Sequence, residues 1–207
     1  MSQNVGEFWD QRFSVEDYIY GVAPNDFLAQ HYRQIPAGGR VLSLGEGEGR
    51  NAVFLARQGY QVTAVDAAAQ GVMKIRRLAA QNGVEVATIH ADLKDFRIEP
   101  GQWDGIIPVF CHLPSRLRQQ VHAQIVTGLR PGGLLLLEGY TPRQLQFATG
   151  GPKDTDLLLE PADLQQELSG LSLLHLQERQ REVIEGRLHT GLAAVVQLLA
   201  RRESAHQ

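Results

Sequence analysis

The sequence predicts an α/β protein, with helices on both faces of a seven-stranded, mostly parallel sheet whose last strand runs antiparallel. Three observations predict it. Short apolar runs alternate with helix-length stretches from Arg40 to Glu138. Those runs are almost continuously apolar, as strands covered on both faces are. After a short helix at Pro161–Ser169, two strand-like runs follow with no helix between them, which requires an antiparallel pair.

The elements follow in order. Phe8 to Gly21 is rich in aromatics (Phe8, Trp9, Phe13, Tyr18, Tyr20) and has no clean helical or alternating period. Pro24 opens a helix with Asn25 and Asp26 in its first turn, where acidic groups suit the helix dipole. Phe27, Leu28, Tyr32 and Ile35 give that helix one apolar stripe, and Pro36-Ala37-Gly38-Gly39 ends it. The first strand is Val41–Leu44. A helix then runs to about Gln58, with Gly59 just past its end. A second strand, Gln61–Asp66, precedes a helix over Gln70–Asn82 that stops at Gly83. A third strand lies near Val84–His90 and a fourth at Trp103–Phe110. Pro114 starts a helix reaching about Leu129, Arg130-Pro131-Gly132-Gly133 reads as a tight turn, and Leu134–Glu138 is the fifth strand. Thr141–Glu160 is a polar, Gly/Pro-containing connection of a length usually kept for function. The last two strands are Leu171–Glu182 and Ala193–Ala200, joined around Glu185-Gly186-Arg187.

Composition narrows the function. The 207 residues suit one domain, 1–207, and 43% hydrophobic with 21% charged residues is ordinary for a water-soluble globule. Net charge is −3, and the lysines are only Lys74, Lys94 and Lys153, which argues against nucleic acid and anionic membranes as partners. Cys111 is the one cysteine, so there is no internal disulfide. With no cationic leader and no run of about 20 apolar residues, a cytoplasmic location is expected. No grouping has metal-ligand spacing, so no metal is expected. A monomer or homodimer is expected.

The chemistry centres on Gly45-Glu46-Gly47-Glu48-Gly49, between the first strand and its helix. Glycines let a ligand approach the backbone, and a helix N-terminus offers free N–H groups to an anion. Seventeen residues after Gly49, the second strand ends in Asp66, where a carboxylate holds a ribose diol in nucleotide-binding sheets. An adenosine-containing cofactor is implied. The dinucleotide fingerprint wants a third glycine where Arg50 stands, and two glutamates beside a pyrophosphate would be repelled. S-adenosylmethionine carries no phosphate and has two positive centres, so it suits the loop better than NAD.

These motifs resemble the class I S-adenosylmethionine-dependent methyltransferases, across essentially the whole chain. The loop resembles their first motif, Asp66 the acidic end of their second strand, and Asp92 the residue that reads the adenine amino group. Leu129-Arg130-Pro131-Gly132-Gly133 resembles their turn before the fifth strand. Within the class, three stretches resemble the branch of tellurite-resistance and thiopurine methyltransferase-like proteins. They are Phe8–Phe13 with Tyr18–Gly21, then Phe110-Cys111-His112-Leu113-Pro114, and Glu185-Gly186 with His189-Thr190-Gly191. The resemblance implies a three-layer α-β-α Rossmann-like sandwich and a small-molecule acceptor, a thiol or a chalcogen oxyanion. A small-metabolite O-methyltransferase and a cofactor-binding protein without transfer activity are the rivals. S-adenosylhomocysteine would be the product. One departure stands out. Family members usually carry Asp or Glu where this chain has Ser43, and Glu46 or Glu48 is expected to compensate.

The site is expected beyond the carboxyl ends of the first and fourth strands. Cofactor contacts are expected from Gly45, Glu46, Gly47, Glu48, Asn51, Asp66, Ala67, Asp92, Leu93, Pro108 and Val109. Trp9 and Tyr20 are expected over the cofactor, making 1–23 an aromatic lid, since aromatic faces attract sulfonium-like cations. His112 is the expected general base, by its ordinary pKa. Tyr140 and Arg143 are expected to line the acceptor pocket at the start of the substrate-side loop 141–160, the arginine drawing an anionic acceptor.

Overall fold

The computed structural model describes residues 5–204, so Met1–Asn4 of the expected 1–23 segment and the last three residues lie outside it. Seven strands form one sheet in the order β3-β2-β1-β4-β5-β7-β6. They are β1 (Arg40–Leu44), β2 (Gln61–Asp66), β3 (Ala87–His90), β4 (Trp103–Ile107), β5 (Leu129–Tyr140), β6 (Ser172–Ile184) and β7 (Thr190–Arg201). The first five run parallel; β7 pairs antiparallel with both β5 and β6. The helices are α1 (Val5–Phe13), α2 (Asp26–His31), α3 (Arg50–Arg57), α4 (Ala69–Gln81), α5 (Ser115–Gly128) and α6 (Pro161–Glu167).

The strands sit between two apolar layers. One joins Leu42, Ile106, Leu135 and Leu198 to Val121 and Ile125 of α5 and Leu164 of α6. The other joins Val41, Ala64, Ile107 and Leu136 to Phe27 and Leu28 of α2, Leu55 of α3 and Ile75 of α4. Alternate residues of β1 and β5 therefore enter opposite layers, as the pleat requires. This is the expected doubly covered sheet with its antiparallel last strand.

Besides shifted ends, such as β3 beginning at Ala87 rather than near Val84 and α2 at Asp26 rather than Pro24, four details differ from the expectations. The Phe8–Gly21 stretch is partly helical: α1 forms because Phe13 packs against Ile19 and Ala68 while the other aromatics contact one another, so its apolar surface follows no single stripe. The α2 helix ends at His31 and continues as a 3₁₀ turn over Tyr32–Gln34. Strand β4 stops at Ile107, because Pro108 has no N–H for the ladder; Val109 keeps one isolated bridge to Glu138. Arg130–Gly133 does not turn out of the sheet. It is a bulge inside β5, where the pairing slips between Trp103↔Leu129 and Gly105↔Leu134.

Candidate active site

The carboxyl ends of β1, β2 and β4 lie side by side at one end of the sheet, the place where open α/β sheets bind ligands. The floor there is the glycine loop. Gly49, at φ +104°, caps α3 in a left-handed conformation, and a Cβ there would lie 2.9 Å from Ile75 Cα, so only glycine fits. The loop is held from behind by two carboxylates. Glu46 Oε1 accepts from Asn51 N and Ala52 N, both at 3.0 Å, and its other oxygen accepts from the Ser43 hydroxyl. Glu46 thus places a carboxylate beside Ser43 and caps α3 with it. Burial pushes the Glu46 carboxyl upward, against the pull of the Ser43, Ala52 and Asn51 bonds.

Glu48 has a different job. Its side chain is buried against Lys74 Nζ at 2.7 Å and accepts from Tyr20 N at 3.1 Å. Its charge is neutralised inside the protein, so it is not free for a ligand as the sequence argument supposed. Asn51 is likewise spent internally, its Oδ1 accepting from Asn25 N at 2.9 Å. Asp66 lies at the tip of β2, buried, with one oxygen accepting from Gly47 N (2.7 Å) and the other from Ala68 N (2.8 Å). Each oxygen keeps acceptor capacity for a further donor. Burial raises its pKa to about 6, against those two backbone bonds.

Around this floor stand the other expected residues. Ala67 O takes a bond from the His90 ring at 3.0 Å. Asp92 accepts from Lys94 N (3.0 Å) and pairs with Lys94 Nζ (3.2 Å), while Leu93 is buried in the core. Pro108 and Val109 are buried at the end of β4. Trp9 stacks on Phe13, with ring centroids 5.5 Å apart, and lies 6.2 Å from the Tyr20 ring. Phe13 reaches toward Gly47, bringing this aromatic group onto the glycine loop.

On the far side of β4, five rings gather: Tyr20, Phe110, His112, Tyr140 and His189. Phe110 centres on His189 at 4.6 Å and on Tyr140 at 4.9 Å, and Tyr20 on His189 at 4.9 Å. Phe110 itself has φ +53°, a strained backbone for a bulky side chain, of the kind that clusters at functional sites. Tyr140, at the end of β5, joins this group, and Gly150 and Gly151 of the 141–160 stretch pass over its ring. Arg143 does not join it. Its side chain is 65% exposed and pairs with Glu178 at 3.6 Å.

His112 is placed at the cluster but is a poor base. Its Nδ1 donates to Leu157 O (2.8 Å), which leaves Nε2 as acceptor of the Tyr140 N–H (3.5 Å). Both nitrogens are occupied, and burial takes its pKa down to about 4. The histidine that differs is His189: its buried Nδ1 faces Glu185 Oε2 at 3.7 Å, beyond hydrogen-bond distance, and its Nε2 bonds none of the described residues. Sequence reasoning quoted His189 only within a family stretch. Its signal was the spacing Glu185…His189 in the turn before the last strand, together with Arg50 directly after the glycine loop: Arg50 Nη2 lies 2.5 Å from the same Glu185 Oε2.

The sheet order, with its antiparallel β7, defines a Rossmann-like methyltransferase fold. Comparison with known proteins agrees. Residues 41–133 match the family model described as a methyltransferase domain. A ribosomal RNA small subunit methyltransferase C from Alcanivorax borkumensis is 34% identical over 48% of this chain and 31% of its own length. A 2-heptyl-1-hydroxyquinolin-4(1H)-one methyltransferase from Mycobacteroides abscessus is 32% identical over 45% of this chain and 43% of its own. The chain thus spans less than half the length of these curated relatives. Among solved structures, TehB from Haemophilus influenzae shares the fold at a TM-score of 0.70 and 17% identity, covering 96% of this chain and 67% of TehB. The matched family and both relatives are methyltransferases. Among the described residues no helix is long and apolar enough to cross a membrane, and no group of three His, Cys, Asp or Glu is placed to hold a metal.

Proposed function

We propose that the chain transfers a methyl group from S-adenosylmethionine to a small-molecule acceptor. One observation carries this reading: a buried carboxylate, Asp66, fixed at the tip of β2 by the glycine loop's own N–H and retaining acceptor sites for a ribose diol. The remaining residues fit the cofactor. The loop backbone around Gly45 and Gly47 lies against it, Glu46 supplies beside Ser43 the carboxylate that the family usually keeps at that position, and Asp92 serves the adenine end. Trp9 and Tyr20 cover it, so the described part of 1–23 acts as a lid. S-adenosylmethionine supplies a methyl group already activated by its positive sulfur. The protein's work is then to align the acceptor and exclude water.

The acceptor enters from the ring cluster, beneath the substrate-side loop 141–160. A thiol or chalcogen oxyanion follows from the branch resemblance, with the TehB-like fold in support. An O-methyl acceptor is the second reading, supported by the hydroxyquinolone methyltransferase relative. We read the whole chain as a single cytoplasmic catalytic domain with no nucleic-acid partner.

Calorimetric titration with S-adenosylmethionine, S-adenosylhomocysteine and NADH tests the cofactor. Binding of the first two and not the third is expected. Heat only from NADH would replace the reading with a dehydrogenase, and binding without transfer to any thiol, oxyanion or phenol would leave a cofactor-binding protein.

A further inference from the structure

Buried polar groups are nearly always paired, so orphans that gather in one place call for an explanation. Four do so here: Arg50 Nη1, Tyr140 Oη, His189 Nδ1 and Glu185 Oε2 are buried with no hydrogen-bond partner. They meet at one carboxylate and one set of rings. Arg50 and His189 both approach Glu185 Oε2, at 2.5 and 3.7 Å, and the Tyr140 and His189 rings are 5.3 Å apart. The place is also right for an acceptor, since Arg50 directly follows the glycine loop and Phe110 follows β4.

We propose that this cluster seats a small aryl acceptor bearing an ionisable O–H or S–H, and that His189, backed by Glu185, receives its proton. The proposal rests on the methyltransferase reading above.

Three arguments support it. First, the groups facing His189 leave it neutral, so one ring nitrogen has a lone pair to take a proton, and unlike His112 its two nitrogens are not both occupied. The facing groups are Glu185 on its own turn, Arg50 from α3, Arg181 from β6, Tyr140 from β5, Tyr20 from the N-terminal segment and His112 after β4. Burial lowers its pKa, offset by Glu185 and reinforced by the two arginines. Second, the fixed charges cancel. Arg181 is held by Glu138 and Glu185 (each within 2.9 Å), and Arg50 by Glu185. No cationic surplus remains to hold a preformed dianion. Third, a neutral imidazole is matched to phenol-like and thiol acids, whereas an aliphatic alcohol is too weakly acidic. Burial and Glu185 keep the Tyr140 hydroxyl protonated, so it is a donor for the acceptor atom.

The step balances. The acceptor's O–H (or S–H) proton passes to His189 Nε2, the ring nitrogen that does not face Glu185, giving an imidazolium whose Nδ1 stands beside the Glu185 carboxylate. The freed electron pair forms the bond to the methyl carbon as the carbon–sulfur bond breaks toward sulfur. The proton then leaves to solvent.

The test has a binding arm and a rate arm. 4-Nitrophenol is titrated into protein saturated with S-adenosylhomocysteine, and its absorption is followed against pH. Wild type is expected to hold it as phenolate at a lower pH than free solution does, and His189→Gln to lose that shift. In the rate arm, ring-substituted phenols and thiophenols of graded acidity are compared with selenite. His189→Gln is expected to lose about 10²-fold with weakly acidic phenols and little with acidic ones, a split that a merely structural role does not produce. A melting curve confirms that the variant is folded, with His189→Asn as the second choice. Failure of nitrophenol to bind, an unchanged spectrum in the variant, a uniform rate loss across the series, or transfer to selenite alone would each overturn the proposal. Absence of S-adenosylhomocysteine binding would instead strike the cofactor reading, and this proposal with it.

Discussion

At the scale of single residues, Asp66 carries the sharpest pH signature. Its pKa near 6 lies above its ordinary 3.8, so between those values the folded chain keeps a proton that the unfolded chain has lost. This group therefore favours folding as pH falls through 6 and costs stability above it. Ribose binding needs the ionised form, so the sign there is opposite. Affinity for S-adenosylmethionine should fall about tenfold between pH 7 and pH 5, and calorimetry on Asp66→Asn should show a weaker, flat profile. Glu46 supports a second expectation. Glu46→Gln puts an amide where Asn51 N, Ala52 N and the Ser43 hydroxyl donate, and should cost about 1–3 kcal/mol as well as cofactor affinity. Ser43→Ala removes one of three donors and should cost less; equal effects in calorimetry and melting would deny Glu46 its compensating role. The glycine loop and Asp66 were legible in the sequence because a turn and a strand tip are local facts. Glu48 and Asn51 were not, because their directions are set by Lys74 and Asn25, 26 residues away in each case.

At the scale of elements, the N-terminal helix shows why local pattern falls short. α1 is held by Phe13 seated against Gly71 of α4 and by Asp10 Oδ1 accepting from Gln70 N at 2.7 Å, contacts that leave no helical period in the sequence. A Cβ on Gly71 would stand 2.7 Å from Gly47 O and 3.2 Å from the Phe13 ring. Gly71→Ala should therefore displace α1 from the glycine loop, cost about 1–3 kcal/mol, and weaken S-adenosylmethionine binding; unchanged melting and affinity would mean α1 is no part of the cofactor cover. A second element contact is made by charge. Arg118 of α5 lies buried against Glu167 of α6 at 2.9 Å, with the His122 ring on the same carboxylate at 2.6 Å. Arg118→Met should cost about 3–5 kcal/mol in denaturant unfolding by stranding Glu167. The strands were easier to read than these contacts, since a buried parallel strand announces itself by composition, whereas the β5 bulge at Arg130–Gly133 resembles any other glycine turn.

Across the whole molecule, one buried network ties the antiparallel half of the sheet to the cofactor half. Glu138 of β5 accepts from Arg181 (2.8 Å, both oxygens), Gln197 (2.7 Å) and Asn25 (2.5 Å), and Asn25 also caps α2 and reaches Glu185 at 3.0 Å. Glu138→Gln leaves Arg181 underpaired in the interior and turns an amide toward donors. A loss of about 3–5 kcal/mol in chemical denaturation is expected, and a loss below 1 kcal/mol would show that the network is not a structural tie. None of this was legible, since Glu138 reads only as the polar end of a strand and its partners come from three other parts of the chain. The overall topology was legible, because helices between strands force parallel pairing and their absence before β7 forces the reverse. That topology has a consequence for the order of assembly. β6 precedes β7 in the chain, yet β7 is its only neighbour in the sheet. The parallel strands β1–β5 can pair among themselves before β7 is in place, whereas β6 and the turn carrying His189 have nothing to dock on until β7 inserts beside β5. The donor side can therefore assemble first and the acceptor side last, so a partly folded chain can bind its cofactor without being able to use it.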